Sequence, residues 1–423
     1  MLDIRLLRED PDGVAERVKT RGGDAHTLVA DVLACDEERR KAETEKQALQ
    51  GDRKRISKQI GQLKGKGEDT SKVEAEVREI GDKIKTLSEG ATAAEDRQRD
   101  LLLQIPNLPH ADCPVGQDET ANPEVRIWGE KPEFDFEPKD HLTLCTEGGL
   151  LDFETAAKIS TGGFALFKGQ GARLERALIQ FLLDLHTAEH GYTEYSPPFI
   201  INRDCMTGTG QLPKFEDDMY GIEDGKFFLA PTAEVPVTNM WRDMIVKADE
   251  LPIKATAYTP CFRKEAGASG RENRGLIRMH QFDKVELVQI VHPDDSFKTL
   301  ETLTSEAEKV LQLLGLHYRT IELCTGDISD SSTKTYDIEV WAPGQGSYLE
   351  VSSCSNFVDY QARRMNLRFK DEDGKNKVCH TLNGSGTALP RLFVALVETY
   401  QQADGSILIP EALQRHFGSE KIG

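Results

Sequence analysis

The sequence predicts an α+β fold: an antiparallel β-sheet domain flanked by helices, preceded by a long antiparallel two-helix coiled-coil arm. Three observations predict it. Two heptad runs, joined by a glycine turn, lie between about residues 36 and 103. A stretch rich in Pro, Asn and Asp follows at 105–135 and reads as a linker. From 136 to 423, short β-rich runs alternate with amphipathic helices without a regular βα repeat, which favours an antiparallel sheet over a Rossmann-type one.

The elements follow in order. Residues 1–30 read as a small capping region, with Pro11 and Gly13 early and Gly22-Gly23 as a break, so that 1–104 forms one N-terminal domain. In the first heptad run Ala42, Leu49, Ile56 and Leu63 recur every seven residues, with Ile60 four after Ile56. Gly65-Lys66-Gly67 makes the turn, and Thr70-Ser71 offers N-cap chemistry for the second helix. There Val73, Val77, Ile80, Ile84, Leu87, Ala91, Ala94 and Leu101 keep 4-3 spacing, and only Gln98 interrupts it. Each helix of roughly 30 residues would extend about 45 Å. One narrow apolar seam per helix buries little beyond its partner, so the hairpin should project into solvent. From the heptads alone, a dimerisation rod or spacer is the safer reading. Further on, Leu174, Ala177, Leu178, Phe181, Leu182 and Leu185 form a helical stripe that stops before Gly191.

Charge and composition narrow the function. The chain carries a net charge of −19, which opposes a polyanionic partner unless basic residues cluster locally. They do: between 50 and 66, Arg53, Lys54, Arg55, Lys58, Lys64 and Lys66 face a single acid, Asp52. Phosphate rails and the shallow minor groove of A-form RNA suit a rigid rod with such a tip. The eight cysteines form no CxxC pair, so a zinc ribbon is not expected and the thiols are read as reduced. No run of 18 apolar residues occurs, and the N-terminus lacks the apolar core of a signal peptide. No membrane association and a cytoplasmic location are expected.

The chemistry concentrates at 261–286, read as a strand, a loop containing Gly267, Gly270 and Gly275, and a second strand. Arg263, Arg271, Arg274 and Arg278 accompany it. Permanently charged, bidentate donors around a glycine loop are what a polyphosphate requires. Neither GxGxxG nor a P-loop occurs, so arginines and a metal would have to hold any nucleotide. Glu286 falls in an apolar strand, where an unpaired carboxylate is costly.

Phe262-Arg263-Lys264-Glu265-Ala266-Gly267, continuing through Arg274-Gly-Leu-Ile-Arg278-Met-His-Gln-Phe282-Asp-Lys-Val-Glu286, resembles motif 2 of class II aminoacyl-tRNA synthetases in their seryl form. Thr193-Glu-Tyr-Ser-Pro-Pro-Phe-Ile200 resembles motif 1, which builds the dimer interface in that family. Pro231-Thr232-Ala233-Glu234 resembles the serine-binding loop, and Glu350-Val351-Ser352-Ser353-Cys354-Ser355-Asn356 the family's E-x-S-S-C-S-N strand. Thr381 to Gly386, ending in Arg391, resembles motif 3, although Pro390 stands where many relatives carry glycine.

The resemblance implies an ATP- and Mg²⁺-dependent homodimer that joins serine to tRNA(Ser), and also to tRNA(Sec), through a seryl-adenylate. It assigns Arg263 and Arg391 to catalysis, with Lys264, Glu265, Phe282, Glu350, Val351, Ser352 and Ser353 also at ATP. Phe282 is equally readable as a strand-packing residue. Thr232, Ala233, Glu234, Glu286, Asn383 and Ser385 would hold serine, and Glu350 with Ser353 would ligate Mg²⁺. Arg53, Lys54, Arg55 and Lys58 would contact tRNA. Cys261, Cys354 and His280 read as structural, because a carboxylate substrate is already a nucleophile. An amino acid:carrier-protein ligase, or a non-catalytic synthetase-like scaffold, are the competing readings.

Overall fold

The computed structural model describes residues 1–265 and 275–423. It divides into two compact units, Leu2–Pro106 and Asn107–Gly423.

In the N-terminal unit, helix Ile4–Glu9 is followed by Pro11–Lys19, whose Pro11 stands at a position where a missing N–H costs nothing. Gly22 and Gly23 both adopt positive φ and interrupt the chain, as their sequence suggests. The arm helices are Leu28–Gly65 and Ser71–Gln104, of 38 and 34 residues. The first begins ahead of Asp36 because Val29 and Val32, both buried, extend the seam toward the N-terminus. Ile56, Ile80, Ala91 and Ala94 are buried, while Leu49, Leu63, Val77 and Leu87 are half-buried, as a single narrow seam dictates. Thr70 occupies the N-cap position, but its hydroxyl donates to Glu74 Oε1 at 3.0 Å instead of capping. Asp69 takes over, accepting the Ser71 N–H at 3.0 Å.

Gln98, which breaks the heptad pattern, proves to be the partner of a buried charge. Its Nε2 donates to Asp36 Oδ1 at 3.2 Å across the two helices. Asp36 also accepts from Arg8 at 2.6 and 2.7 Å, Arg39 at 3.2 Å and Arg40 at 2.9 Å. The Arg8 guanidinium, above all, holds the Asp36 carboxyl well below the usual range. This polar layer is satisfied in one alignment of the helices only, so it fixes their register.

The second unit is built on an eight-stranded sheet. Its strands are β1 (Glu124–Trp128), β2 (Thr193–Glu194), β3 (Ile253–Phe262), β4 (Gln281–Val291), β5 (Tyr318–Glu322), β6 (Lys334–Ala342), β7 (Ser347–Val358) and β8 (His380–Ala388). Their spatial order is β1-β5-β6-β7-β8-β4-β3-β2. Only β2 runs parallel to its neighbour; the other pairings are antiparallel. Part of the proline-rich stretch 105–135 is therefore an edge strand as well as a connection. Helices Gln170–Ala188, Ser296–Leu313 and Leu389–Thr399 contribute their apolar residues to the core of this unit. The predicted stripe Leu174, Ala177, Leu178, Phe181, Leu182 and Leu185 is buried throughout. Among the described residues, no helix is long and apolar enough to cross a membrane.

Candidate active site

Strand alternation creates the floor of the site. In β4, Phe282, Lys284 and Glu286 fall at every second position and share one face. Glu286 is fully buried and completely engaged. Thr232 Oγ1 donates to its Oε2 at 2.9 Å, Asn383 Nδ2 to its Oε1 at 2.9 Å, and Lys284 forms an ion pair with it. The register of β8 on β4 sets Ser385 directly opposite Glu286. A buried carboxylate between a hydroxyl, an amide and an ammonium meets the cost that its sequence position implied.

Thr232 and Glu234 come from the turn into the short helix Glu234–Thr238. Gln361 Nε2 donates to Glu234 Oε1 at 2.6 Å, and Gln361 is itself fixed by Thr381 Oγ1 at 2.7 Å and the Thr209 carbonyl at 3.1 Å. Burial, and after it the Glu286 carboxylate, raise the Glu234 carboxyl to about 7.

Two cavities adjoin on this floor. One, of about 300 Å³, is lined by residues including Phe282, Arg278, Val351, Glu265 and Arg391. The other, of about 410 Å³, is lined by residues including Thr232, Glu234, Asn383, Ser353 and Gln211. Arg263, Lys284, Glu350 and Ser385 line both. The Arg263 guanidinium lies 5.2 Å from the Phe282 ring centroid, and its Nε donates to the Pro231 carbonyl at 3.3 Å. Glu265 adopts φ 48° and pairs with Arg278.

Arg391 donates to the Glu350 carbonyl at 2.8 Å, to Glu350 Oε2 at 3.1 Å and to the Ile277 carbonyl at 3.2 Å. Pro390 does not withdraw it from the site. The proline sits in the first turn of Leu389–Thr399, where no intrahelical N–H is required.

Glu350 and Ser353 are three residues apart, a spacing that puts side chains on opposite faces of a regular strand. A bulge corrects this. Ser352 pairs with Ile338 but Glu350 with Glu339, so the extra residue Val351 brings Glu350 and Ser353 to the same face.

Other assigned residues stand apart from the cavity walls. Lys264 is exposed, with its backbone N–H on the Asp218 carbonyl at 3.0 Å. Ala233 is buried, and Ser352 is buried with its hydroxyl donating to the Ser385 carbonyl at 2.6 Å. Arg271 and Arg274, with Gly267 and Gly270, lie outside the described residues. The sequence reading overlooked Lys284 and Gln361. Lys284 was detectable as the residue two before Glu286 on a strand; Gln361 is distant in sequence and had no local signal. Cys261 and Cys354 are buried, and burial raises both thiols, Cys354 to about 12, which fits structural roles.

The comparisons with known proteins agree at both ends of the chain. Residues 1–109 match the model of the seryl-tRNA synthetase N-terminal domain, and residues 214–400 that of the class II tRNA synthetase core domain for G, H, P, S and T. The serine–tRNA ligase of Akkermansia muciniphila is 66% identical over 422 residues, covering 100% of this chain and 99% of its own. The chain belongs to the seryl-tRNA synthetase family, and its activity is that of a serine–tRNA ligase of class II. Solved structures share the fold. A seryl-tRNA synthetase from Pyrococcus horikoshii, complexed with ATP, superposes with a TM-score of 0.95 at 36% identity, covering 100% of this chain and 99% of its own. The cytoplasmic serine–tRNA ligase of Naegleria fowleri, in complex with AMP, gives 0.89 at 28% identity, covering 100% and 98%. In the synthetase described here, both cavities lie within the second unit and are lined by the strands and loops that carry the quoted motifs.

Proposed function

We propose that the two adjoining cavities bind ATP and serine respectively, and that Arg263 spans the junction at which the two substrates react. The observation that carries this reading is the set of residues common to both cavities, Arg263, Lys284, Glu350 and Ser385. In the 300 Å³ cavity, Phe282 stacks on adenine, Arg391 pairs with the γ-phosphate, and Glu265 and Val351 contribute to the nucleotide wall. Lys264 and Ser352 act there through their backbone. In the 410 Å³ cavity, Thr232, Glu234, Asn383 and Ser385 surround serine, with Ala233 shaping the loop and Glu286 orienting Thr232 and Asn383.

No general base is needed for the first step. The serine carboxylate attacks the α-phosphorus of ATP, a P–O bond forms, and the bond from α-phosphorus to the bridging β-oxygen breaks to release pyrophosphate. Arg263 stabilises the charge gathering on the α-phosphoryl oxygens and holds the carboxylate in line. The terminal ribose hydroxyl of tRNA then attacks the adenylate carbonyl, and AMP leaves. A site built to satisfy a hydroxyl leaves buried groups unpaired when alanine enters, which rejects it.

Glu350 and Ser353 fit Mg²⁺. They are hard oxygen donors turned to one face by the Val351 bulge, and both line the 410 Å³ cavity. When bound, the ion supplies positive charge against the phosphates.

The raised Glu234 carboxyl has a measurable consequence. The serine ammonium favours its ionised form, so serine binding releases a proton near neutrality. The serine KM in pyrophosphate exchange should fall by up to about tenfold between about pH 6 and pH 8. Glu234→Gln should flatten that profile; an unchanged profile contradicts the assignment. In the serine-free enzyme the same group binds more protons folded than unfolded, so stability declines as pH rises from the usual carboxylate range toward about 7.

At the arm tip, Arg53, Lys54, Arg55 and Lys58 are exposed, although Arg55 is paired with Asp52 at 2.8 Å. They meet tRNA phosphates, and the same arm serves tRNA(Ser) and tRNA(Sec). Neutralising Lys54, Arg55 and Lys58 together should weaken tRNA binding and lower the log–log salt slope by about 2. Filter binding across a salt series checks this; an unaltered slope removes the tip from the interface. Thr193–Ile200 supports a homodimer through its likeness to motif 1, and a cytoplasmic location completes the reading.

A further inference from the structure

The helix His141–Glu147 opens on a buried histidine, 1% exposed, that the reaction itself does not use. Its partners lie on two elements distant in sequence. The His141 backbone N–H donates to Glu398 Oε1 at 2.8 Å, and Nδ1 lies 3.1 Å from the same oxygen. At the other edge of the ring, the Leu276 N–H donates to Nε2 at 3.3 Å. A backbone N–H can only donate, so Nε2 presents its lone pair there and the ring proton sits on Nδ1, facing the carboxylate.

Both ends of this contact are anchored. Glu398 is wholly buried, and it also accepts from the Gly344 N–H at 2.9 Å and from the Gln345 backbone and side chain at 3.2 and 2.9 Å. Gly275, at φ +68°, lets the chain pass against the ring: a Cβ there would lie 2.4 Å from Nε2. Residues 276–278 then line the 300 Å³ cavity, and the Ile277 carbonyl accepts from Arg391 Nε at 3.2 Å. Arg391 and Glu398 stand about two turns apart on one helix, Leu389–Thr399. That helix therefore presents Arg391 and, through Glu398, His141 and Leu276, also holds the segment whose carbonyl orients it.

We propose that His141 is a positioning residue for ATP: its Nε2 lone pair fixes the Leu276 N–H, and with it the wall and the Arg391 guanidinium that meet the nucleotide. The proposal rests on the reading that the 300 Å³ cavity holds ATP. His141 does not touch the reacting atoms. Neither residues 275–278 nor Arg391 line the 410 Å³ cavity, so serine should be indifferent to the contact.

Two substitutions split the two bonds of the ring. Asparagine keeps a donor where Nδ1 stands and has no group at Nε2, whereas glutamine places a carbonyl oxygen where Nε2 stands and loses the donor to Glu398. The test is serine-dependent pyrophosphate exchange by the full-length enzyme, with circular dichroism to check folding. His141→Asn should raise the ATP KM about 10-fold and leave the serine KM within about twofold of the parent. His141→Gln should keep both within about twofold. Gly275→Ala drives the ring off Leu276 from the other side, so it should reproduce the ATP effect of His141→Asn, and it decides the matter if that variant does not fold. Equal ATP KM values for His141→Asn and His141→Gln, or a serine KM that rises in step with that of ATP, overturn the proposal. Arg391→Ala separates it from the reading beneath. If Arg391→Ala raises the ATP KM while His141→Asn and Gly275→Ala do not, the cavity keeps ATP and the proposal alone falls. If Arg391→Ala leaves the ATP KM unchanged, the nucleotide lies elsewhere and both fall.

Discussion

Arg263→Ala should abolish serine-dependent ATP–pyrophosphate exchange, lowering it on the order of 10³-fold, or about 4 kcal/mol of transition-state stabilisation. The size follows from position. Arg263 lines both cavities, and its guanidinium is held by the Pro231 carbonyl and the Phe282 ring, so it is oriented before substrates arrive. A preorganised donor at the atom that gains charge contributes to the barrier itself, whereas a donor in the wall contributes to binding. Arg263→Lys should recover little, because one ammonium cannot address phosphoryl oxygen and carboxylate together in a fixed fork. Single-turnover adenylate formation at saturating ATP and serine checks the claim. A variant that loses only ATP or serine affinity would move Arg263 from catalysis to binding.

Removing residues 36–103 should have the opposite signature. Both cavities are lined wholly by residues of the second unit, so pyrophosphate exchange should remain within about threefold of the parent. Charging of tRNA should fall by about 10³-fold or more, since the basic tip proposed to meet tRNA phosphates goes with the arm. Paired exchange and aminoacylation assays on one preparation decide it. Survival of charging would reduce the arm to a spacer.

The helical parts of the fold were legible because their signals are periodic. The heptads survive in Ile56, Ile80, Ala91 and Ala94, and the helical stripe in Leu174 to Leu185 is buried in full. What escaped were features fixed by contacts distant in sequence. Gln98 looked like an interruption because its partners, Asp36 and through it Arg8, are 62 and 90 residues away. Likewise the spacing of Glu350 and Ser353 opposes a shared face until the register with β6 reveals the extra residue at Val351. Lys284 and Gln361 resemble ordinary strand and helix residues until Glu286 and Glu234 are seen beside them. Arg263, Glu286, Glu350 and Asn383 could be named in advance only because their surrounding motifs resemble a known family. Polarity alone would not have separated Glu286 from other acids.

The measurement that bears most directly on the paired cavities is pyrophosphate exchange by the purified enzyme with each of the twenty amino acids in turn. Exchange with serine well above every other amino acid, alanine and threonine included, is the expected result. Exchange driven by a different amino acid, or by none, would contradict it.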